Sequence, residues 1–203
     1  MSCPSPVLSV VSPGSGPPVV VKPRSVLFAG SRNGCINPAL ARGLVAALSD
    51  HGFSFVVGCA PGIDACFRSG LSSLPEAAEA SFVACAFASR LDASTSGGLF
   101  ASVVVPAGLS PAAALRRRTL WLVKRAQLLI LFPDDPASRR WGRGSSLAFR
   151  AATDQLKPAF VVSQKAPPAA PHYRLFPGTL CGLVKGTWAV PHPVPAGTCD
   201  EEV

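Results

Sequence analysis

Short apolar runs alternate with amphipathic stretches from residue 25 onward, a pattern typical of strand and helix units around a parallel sheet. Strands are predicted where several apolar residues stand together between turn signals. The predicted strands cover residues 25–29, 53–58, 81–88, 101–105, 128–132 and 158–162. Because these runs carry no charged residue, we expect a sheet covered on both faces. Segment 81–88 has a second interpretation, the continuation of a helix from Glu76.

Two predicted helices begin with a capping residue followed by proline. Asn37 precedes Pro38 and Ser110 precedes Pro111, and proline is favoured at the first helical position because its missing N–H needs no partner there. Gly52 ends the first of these helices. The predicted helices cover residues 38–51, 63–72, 111–125 and 144–156. The pattern predicts an α/β fold, a three-layer sandwich with a mainly parallel central sheet.

Proline and glycine divide the chain into three parts. Residues 1–23 are rich in Pro, Ser and Gly without apolar periodicity, which predicts a flexible arm. Residues 24–164 carry the strand and helix pattern and are predicted to form one domain. Residues 165–203 are predicted to be a proline-rich tail that contains one apolar island around residues 183–190.

Composition narrows the class of protein. The chain has 203 residues, of which 48% are hydrophobic and only 15% charged, so a core is expected and whole-chain disorder is excluded. No run approaches the roughly 18 apolar residues of a membrane helix, so we expect no membrane association and a cytoplasmic location. The seven cysteines form no Cys-x-x-Cys pair, which predicts reduced thiols. A net charge of +8 suits a polyanion such as a nucleotide or nucleic acid.

Ligands of open parallel sheets bind beyond the carboxyl ends of the strands, and three glycine-bearing loops follow predicted strands here. In the first loop the candidate phosphate-binding residues are Gly30, Ser31, Arg32 and Asn33. Backbone N–H groups before a helix can meet a phosphate. The other interpretation is an ordinary turn that uses the backbone freedom of glycine.

The second loop has glycines on either side of Pro61, which fix a tight turn. Its candidate residues are Gly58, Ala60, Gly62 and Asp64. Asp64 lies in the first turn of a predicted helix, where a carboxylate caps the helix and complements its dipole. The functional alternative is a carboxylate that accepts hydrogen bonds from a ribose or a base edge.

The third loop opens the last predicted helix, and its candidates are Gly142, Gly144, Ser145 and Ser146. Small residues there let a ligand approach free N–H groups, while neighbouring arginines add positive charge and Trp141 offers a stacking face. Arg116 and Arg118 lie on the helix that precedes the central strand and are candidates for the same sheet edge. Solvated basic surface is the alternative for both sets.

Other chemistries lack their motifs. The dinucleotide fingerprint G-x-G-x-x-G, the Walker lysine motif and the G-x-S-x-G elbow are absent. His51, His172 and His192 lie apart, at a helix end and in the proline-rich segment. We therefore predict no metal site and no catalytic residue, and we assign no cofactor beyond a nucleotide as a candidate ligand.

The order of these motifs resembles the SLOG superfamily, which includes the DNA-processing protein A (DprA/Smf) family, the YspA-like proteins and the Lonely Guy phosphoribohydrolases. The likeness is carried by VLFAGSR (residues 26–32), VVGCAPGIDA (residues 56–65), the Arg triplet and the Gly-Ser-Ser that opens the last helix. Residues 58–64 look like the DprA-type SGxAxGID turn. Arg116 and Arg118 resemble the arginines of that family's RNR, with Arg117 in place of Asn.

The resemblance implies a Rossmann-like sheet whose loops bind a nucleotide or the backbone of single-stranded DNA. We therefore predict a non-catalytic nucleotide- or nucleic-acid-binding protein. The alternative is a nucleotide-processing enzyme of Lonely Guy type, but the glutamate of the Pro-Gly-Gly-x-Gly-Thr-x-x-Glu motif is absent here. A third interpretation is an interaction module that kept the fold without a ligand, and the low charge is compatible with a homo-oligomer.

Overall fold

A computed structural model of the chain describes residues 24–192. The predicted N-terminal arm, residues 1–23, and residues 193–203 lie outside the described part. Within residues 24–192 the main elements are β1 (Arg24–Gly30), α1 (Pro38–Asp50), β2 (Phe53–Gly58), α2 (Ile63–Ser72), α3 (Pro75–Glu79), β3 (Ser81–Cys85), β4 (Phe100–Val103), α4 (Pro111–Arg125), β5 (Leu128–Phe132), α5 (Arg143–Asp154), β6 (Ala159–Val161), β7 (Tyr173–Leu180) and β8 (Val184–Pro191).

The strands form one sheet in the order β4-β3-β2-β1-β5-β6-β8-β7. Strands β1 to β6 pair in parallel, and β8 joins β6 in antiparallel orientation. Chain order runs outward from β1 on one side and from β5 on the other, so the topological switch point lies between these two strands. This is the predicted Rossmann-like α/β fold with a mainly parallel sheet.

Two hydrophobic layers cover the sheet because successive side chains of a strand point to opposite faces. Val26 and Phe28 of β1 pack with α1, α2 and α3 on one face. Leu27 packs with α4 and α5 on the other face. The ring of Phe28 stacks on that of Phe67, with their centroids 3.8 Å apart. The central strand is therefore buried from both sides, as the uncharged sequence of the strands predicted.

The capping signals act as the sequence indicated. The Asn37 side chain accepts a hydrogen bond from the Ala39 N–H at 2.8 Å, and the Ser110 hydroxyl accepts one from the Ala113 N–H at 3.4 Å. The strand predicted from residue 81 is confirmed over Ser81–Cys85, and the alternative of a helix carried on through this segment from Glu76 is wrong, because helix α3 ends at Glu79. The Ser81 hydroxyl donates to the carbonyls of Ala77 and Ala78, which closes the helix.

The segment after residue 164 differs from the expected tail, because residues 173–191 form a β-hairpin that extends the sheet. Trp188 of β8 lies opposite Phe160 of β6, and their ring centroids are 4.8 Å apart. The hairpin turn places Cys181 and Gly182 at φ values of 52° and 69°. Two successive positive φ angles match the twist of antiparallel strands, but cysteine is an unusual residue there, and the turn signal is therefore weak.

No helix within residues 24–192 is both long and apolar enough to cross a membrane.

The stacked pair Phe28 and Phe67 gives a stability prediction. Replacing Phe67, which is fully buried, with Ala should lower the free energy of unfolding by about 3–5 kcal/mol because it opens a cavity against Phe28. Phe100→Ala is the matched control, since Phe100 is 65% exposed and its ring contacts only that of Phe82 among the described aromatic rings, so it should cost no more than about 1.5 kcal/mol. Urea unfolding measures both variants, and equal losses would contradict this packing.

Candidate functional site

A cleft of about 980 Å³ opens at the carboxyl end of β1, between α4 and α5. It lies beside the switch point between β1 and β5, where ligands of doubly wound sheets bind. All of the predicted site residues line it except Gly58 and Gly62. Those lining residues are Gly30, Ser31, Arg32, Asn33, Ala60, Asp64, Arg116, Arg118, Gly142, Gly144, Ser145 and Ser146. That they bind a ligand stays a prediction.

The first loop is fixed between β5 and α2. The Ser31 N–H donates to the Phe132 carbonyl at 2.9 Å, and the Ser31 carbonyl accepts from the Ile63 N–H at 3.1 Å. A Cβ on Gly30 would collide with that Phe132 carbonyl, so glycine is required for this close approach. The Ser31 N–H is therefore already used. The first loop contributes the exposed side chains of Arg32 and Asn33 to the lining of the cleft.

The second loop packs behind the first. Gly62 has a φ of 74°, and a Cβ there would collide with the carbonyls of Ser31 and Arg32. A guanidinium nitrogen of Arg68 donates to the Gly58 carbonyl at 2.6 Å and to the Ala60 carbonyl at 3.0 Å. Gly58 and Gly62 consequently shape the floor of the site and do not face the cleft.

A buried ion pair joins the two helical layers above the end of β2. Nη2 of Arg118 in α4 lies 3.8 Å from Oδ2 of Asp64 in α2, and the two side chains are 8% and 7% exposed. The Ala60 N–H also donates to Oδ2 of Asp64, at 3.3 Å. A Cβ on Gly58 would collide with the Asp64 carboxylate and press on the Arg118 guanidinium. The lack of a side chain at Gly58 thus leaves the space in which the pair meets.

Burial raises the pKa of the Asp64 carboxyl above its ordinary value, while the charges of Arg118 and Arg68 act in the opposite direction. Arg118 also donates from Nη1 to the Cys59 sulfur at 3.5 Å. Its Nε is buried and has no hydrogen-bond partner among the described residues. The guanidinium therefore keeps one unused donor at the wall of the cleft.

The third loop presents the start of α5 to the cleft. Gly142 is the N-cap residue and provides no side-chain cap. The first N–H groups of a helix have no acceptor within the helix. Those of the first turn, Arg143 to Ser145, belong to residues that line the cleft and lie at the positive end of the helix dipole. Ser145 is 3% exposed, and its Oγ lacks a partner among the described residues. A Cβ on Gly144 would meet only open space.

Positive charge dominates the wall of the cleft. Its lining includes five arginines, namely Arg32, Arg116, Arg118, Arg143 and Arg150, and two aspartates, Asp64 and Asp135. Asp64 is neutralised by Arg118. The backbone N–H of Ser138 and the Asn33 amide hold the pKa of the Asp135 carboxyl below its ordinary value, with Asn33 Nδ2 donating to Asp135 Oδ2 at 2.6 Å. The remaining arginines can receive an anion.

Arg143 and Arg150 were not among the predicted site residues. They are seven residues apart on α5 and so share a face of the helix, which is a signal the sequence contains. Arg117, by contrast, is exposed and does not line the cleft.

Trp141 does line the cleft, but its ring packs edge-on against Phe149, and its Nε1 donates to the Ser163 hydroxyl at 3.2 Å. The Trp141 ring is thus partly occupied by contacts within the protein and is only partly available for stacking on a ligand. Asp134, beside it, accepts hydrogen bonds from the Ser163 hydroxyl and the Gln164 N–H. The carboxylates nearest the site are therefore engaged in structural contacts.

Comparison with known proteins places the chain by its fold. No family model and no curated protein matches it. Among solved structures, DNA processing protein A from Streptococcus pneumoniae is similar at 14% identity and a TM-score of 0.52, over 72% of this chain and 52% of that chain. The single-stranded-DNA-binding DNA processing protein A from Helicobacter pylori is similar at 18% identity and a TM-score of 0.49, over 73% of this chain and 69% of that chain.

The likeness to the Streptococcus pneumoniae protein shows a shared Rossmann-like α/β fold. The chain spans about half the length of the Streptococcus pneumoniae protein.

The buried ion pair gives a pH-dependent prediction. Arg118→Ala leaves the Asp64 carboxylate buried without its cation, which should cost about 3–5 kcal/mol of unfolding free energy at neutral pH. The same change raises the folded-state pKa of Asp64 further above the unfolded value of about 3.9. An acid with a raised folded pKa stabilises the fold at low pH and loses that contribution as pH rises through the folded pKa.

The deficit of Arg118→Ala relative to the native chain should accordingly shrink between about pH 7 and about pH 4.5 in urea unfolding. In the double variant Asp64→Asn with Arg118→Ala this narrowing should disappear, because no carboxyl remains to be protonated. A deficit independent of pH in Arg118→Ala would show that the two side chains are not coupled in the fold.

Proposed function

We propose that this chain is a non-catalytic protein that binds phosphate groups of a nucleotide or of a single-stranded nucleic acid in the cleft between α4 and α5. The observation that carries the proposal is the uncapped start of α5, which meets a wall of arginines at the switch point of the sheet. Backbone N–H groups and the helix dipole favour an anion there, and guanidinium groups are suited to phosphate oxygens.

Each part of the cleft receives a role in this proposal. The N–H groups of Gly144 and Ser145, together with the neighbouring Ser146, hold one phosphate. Arg32 and Arg116 contact a neighbouring phosphate through their side chains, because the Ser31 N–H is already paired with Phe132. Gly58, Gly62 and Asp64 support these groups from behind, where they fix the position of Arg118.

The size of the cleft favours a polymer strand as the ligand. The cleft volume of about 980 Å³ lies at the upper end of the range for small-molecule pockets, roughly 300–1,000 Å³. The aromatic residues of the lining, Phe28 and Trp141, are occupied in packing, so contacts to phosphate dominate over contacts to bases. Phosphate contacts carry no sequence information, and binding should be largely independent of base sequence. A fold shared with a protein named for DNA processing makes single-stranded DNA the first probe.

Adjacent arginines on α4 provide a matched test. Arg116 lines the cleft, whereas Arg117 is exposed outside it and carries the same charge. In fluorescence anisotropy with a labelled oligothymidylate, Arg116→Ala should weaken binding about 5- to 10-fold, the loss of a charge-assisted contact of about 1–1.4 kcal/mol. It should also make the slope of log K against log salt shallower by about 0.7. Arg117→Ala should weaken binding less than about 2-fold.

Equal effects of the two substitutions would place the strand outside the cleft, and no binding by the native chain would reject the strand as the ligand. Nucleoside monophosphates serve as competitors in the same assay. If they displace the strand at equal affinity per phosphate, the ligand is a nucleotide. Release of free base from them would contradict the non-catalytic part of the proposal.

A further inference from the structure

Two cysteine side chains meet at the surface beside the first loop. Cys35 lies in the segment between β1 and α1, three residues after Arg32. Cys66 is the fourth residue of α2. Their sulfur atoms are 3.6 Å apart. Both are free thiols; Cys35 is exposed, and Cys66 is partly exposed. A reagent in solution can therefore reach the pair.

The other described cysteines differ in access. Cys59 and Cys85 are buried, at 4% and 0% exposure, so an oxidant does not reach them in the folded state. Cys181 is exposed in the turn between β7 and β8, at the end of the sheet that β7 and β8 form. Among the cysteines of residues 24–192, only Cys35 and Cys66 are both accessible to solvent and in contact through their sulfur atoms, at 3.6 Å.

We propose that Cys35 and Cys66 are a reversible redox site that closes to an intramolecular disulfide by exchange with a small disulfide such as oxidised glutathione. The Cys35 thiolate attacks one sulfur of the glutathione disulfide, which forms a mixed disulfide and releases one glutathione thiolate. The Cys66 thiolate then attacks the Cys35 sulfur and expels the second glutathione thiolate. The two cysteines lose two electrons and two protons in all, and the glutathione disulfide gains them.

Little movement is needed for the second step. A disulfide bond is about 2.05 Å long, so the two sulfurs must approach by about 1.5 Å from their contact distance. Both segments are already joined next to the pair, since the Ile63 N–H at the start of α2 donates to the Ser31 carbonyl at 3.1 Å. The disulfide would therefore link two segments that are already in contact in the folded chain.

The bond would link the loop that carries Arg32 and Asn33 to the helix that carries Asp64. It would close a loop of about 30 residues, and such a cross-link stabilises a fold mainly by restricting the unfolded chain. We expect the midpoint of thermal unfolding to rise by several degrees in the oxidised chain and to return when dithiothreitol is added. Formation of this disulfide does not depend on the proposed ligand, because the exchange reaction involves no nucleotide or nucleic acid.

The test uses the full chain, oxidised glutathione and peptide mapping. After incubation, free thiols are blocked with N-ethylmaleimide, and the protein is cut by trypsin together with a protease that cleaves before aspartate. These cuts separate residues 33–42, which contain Cys35, from residues 64–68, which contain Cys66, and leave Cys59 on residues 50–63. The expected product is a cross-linked peptide of 33–42 with 64–68, about 2 Da lighter than the sum of its two reduced parts.

Two variants complete the experiment. Cys181→Ser should form the cross-link as the native chain does. Cys66→Ser should instead retain glutathione on peptide 33–42, because the attacking thiol is gone. In the native chain, persistent glutathione on Cys35 with alkylated Cys66, or cross-links that join Cys35 to another cysteine, would overturn the proposal. A cross-linked product without a dithiothreitol-reversible rise in the unfolding temperature would overturn its stabilising role.

Discussion

The contact between Asp64 and Arg118 is the constraint on which the site depends. It crosses the sheet above the end of β2, from a helix on one face to a helix on the other, and it is possible only because Gly58 has no side chain. A charge buried to this degree is costly unless it is paired. Each partner therefore fixes the other, and through them α2 and α4 are held at one distance across the carboxyl edge of the sheet.

The walls of the cleft follow from that constraint. With α4 fixed, Arg116 lines the same cleft as the start of α5, where a Cβ on Gly142 or Gly144 would meet only open space. The glycine turn behind the cleft thus acts indirectly: it positions the Arg118 guanidinium, whereas in the proposed function the first turn of α5 contacts the anion. A site of this kind combines a rigid scaffold with small residues at the point of approach, which is how backbone N–H groups come within reach of a phosphate.

Much of the fold was predictable because the signals are local. Strand β5, helix α4 and strand β2 have the bounds that periodicity and capping predicted. The β7–β8 hairpin was not predicted, since its turn uses Cys181 before Gly182 and the partner of Trp188 is a distant strand residue, Phe160. The convergence of the three loops on one edge follows from parallel topology. Which backbone N–H groups of these loops remain free cannot be predicted from the topology. It depends on long-range hydrogen bonds such as the one from the Ser31 N–H to the Phe132 carbonyl.

The proposed phosphate contact at the start of α5 is tested most directly by following the backbone amide signals of ¹⁵N-labelled protein as a short oligothymidylate is added. The amides of Gly144 and Ser145 should show the largest shifts, saturating with the bound fraction, because their N–H groups are the proposed phosphate donors. Gly52 and Gly182, in turns outside the cleft lining, should stay unchanged. Saturable binding with the Gly144 and Ser145 signals unmoved, or shifts centred on those distant turns, would contradict a phosphate site at the start of α5.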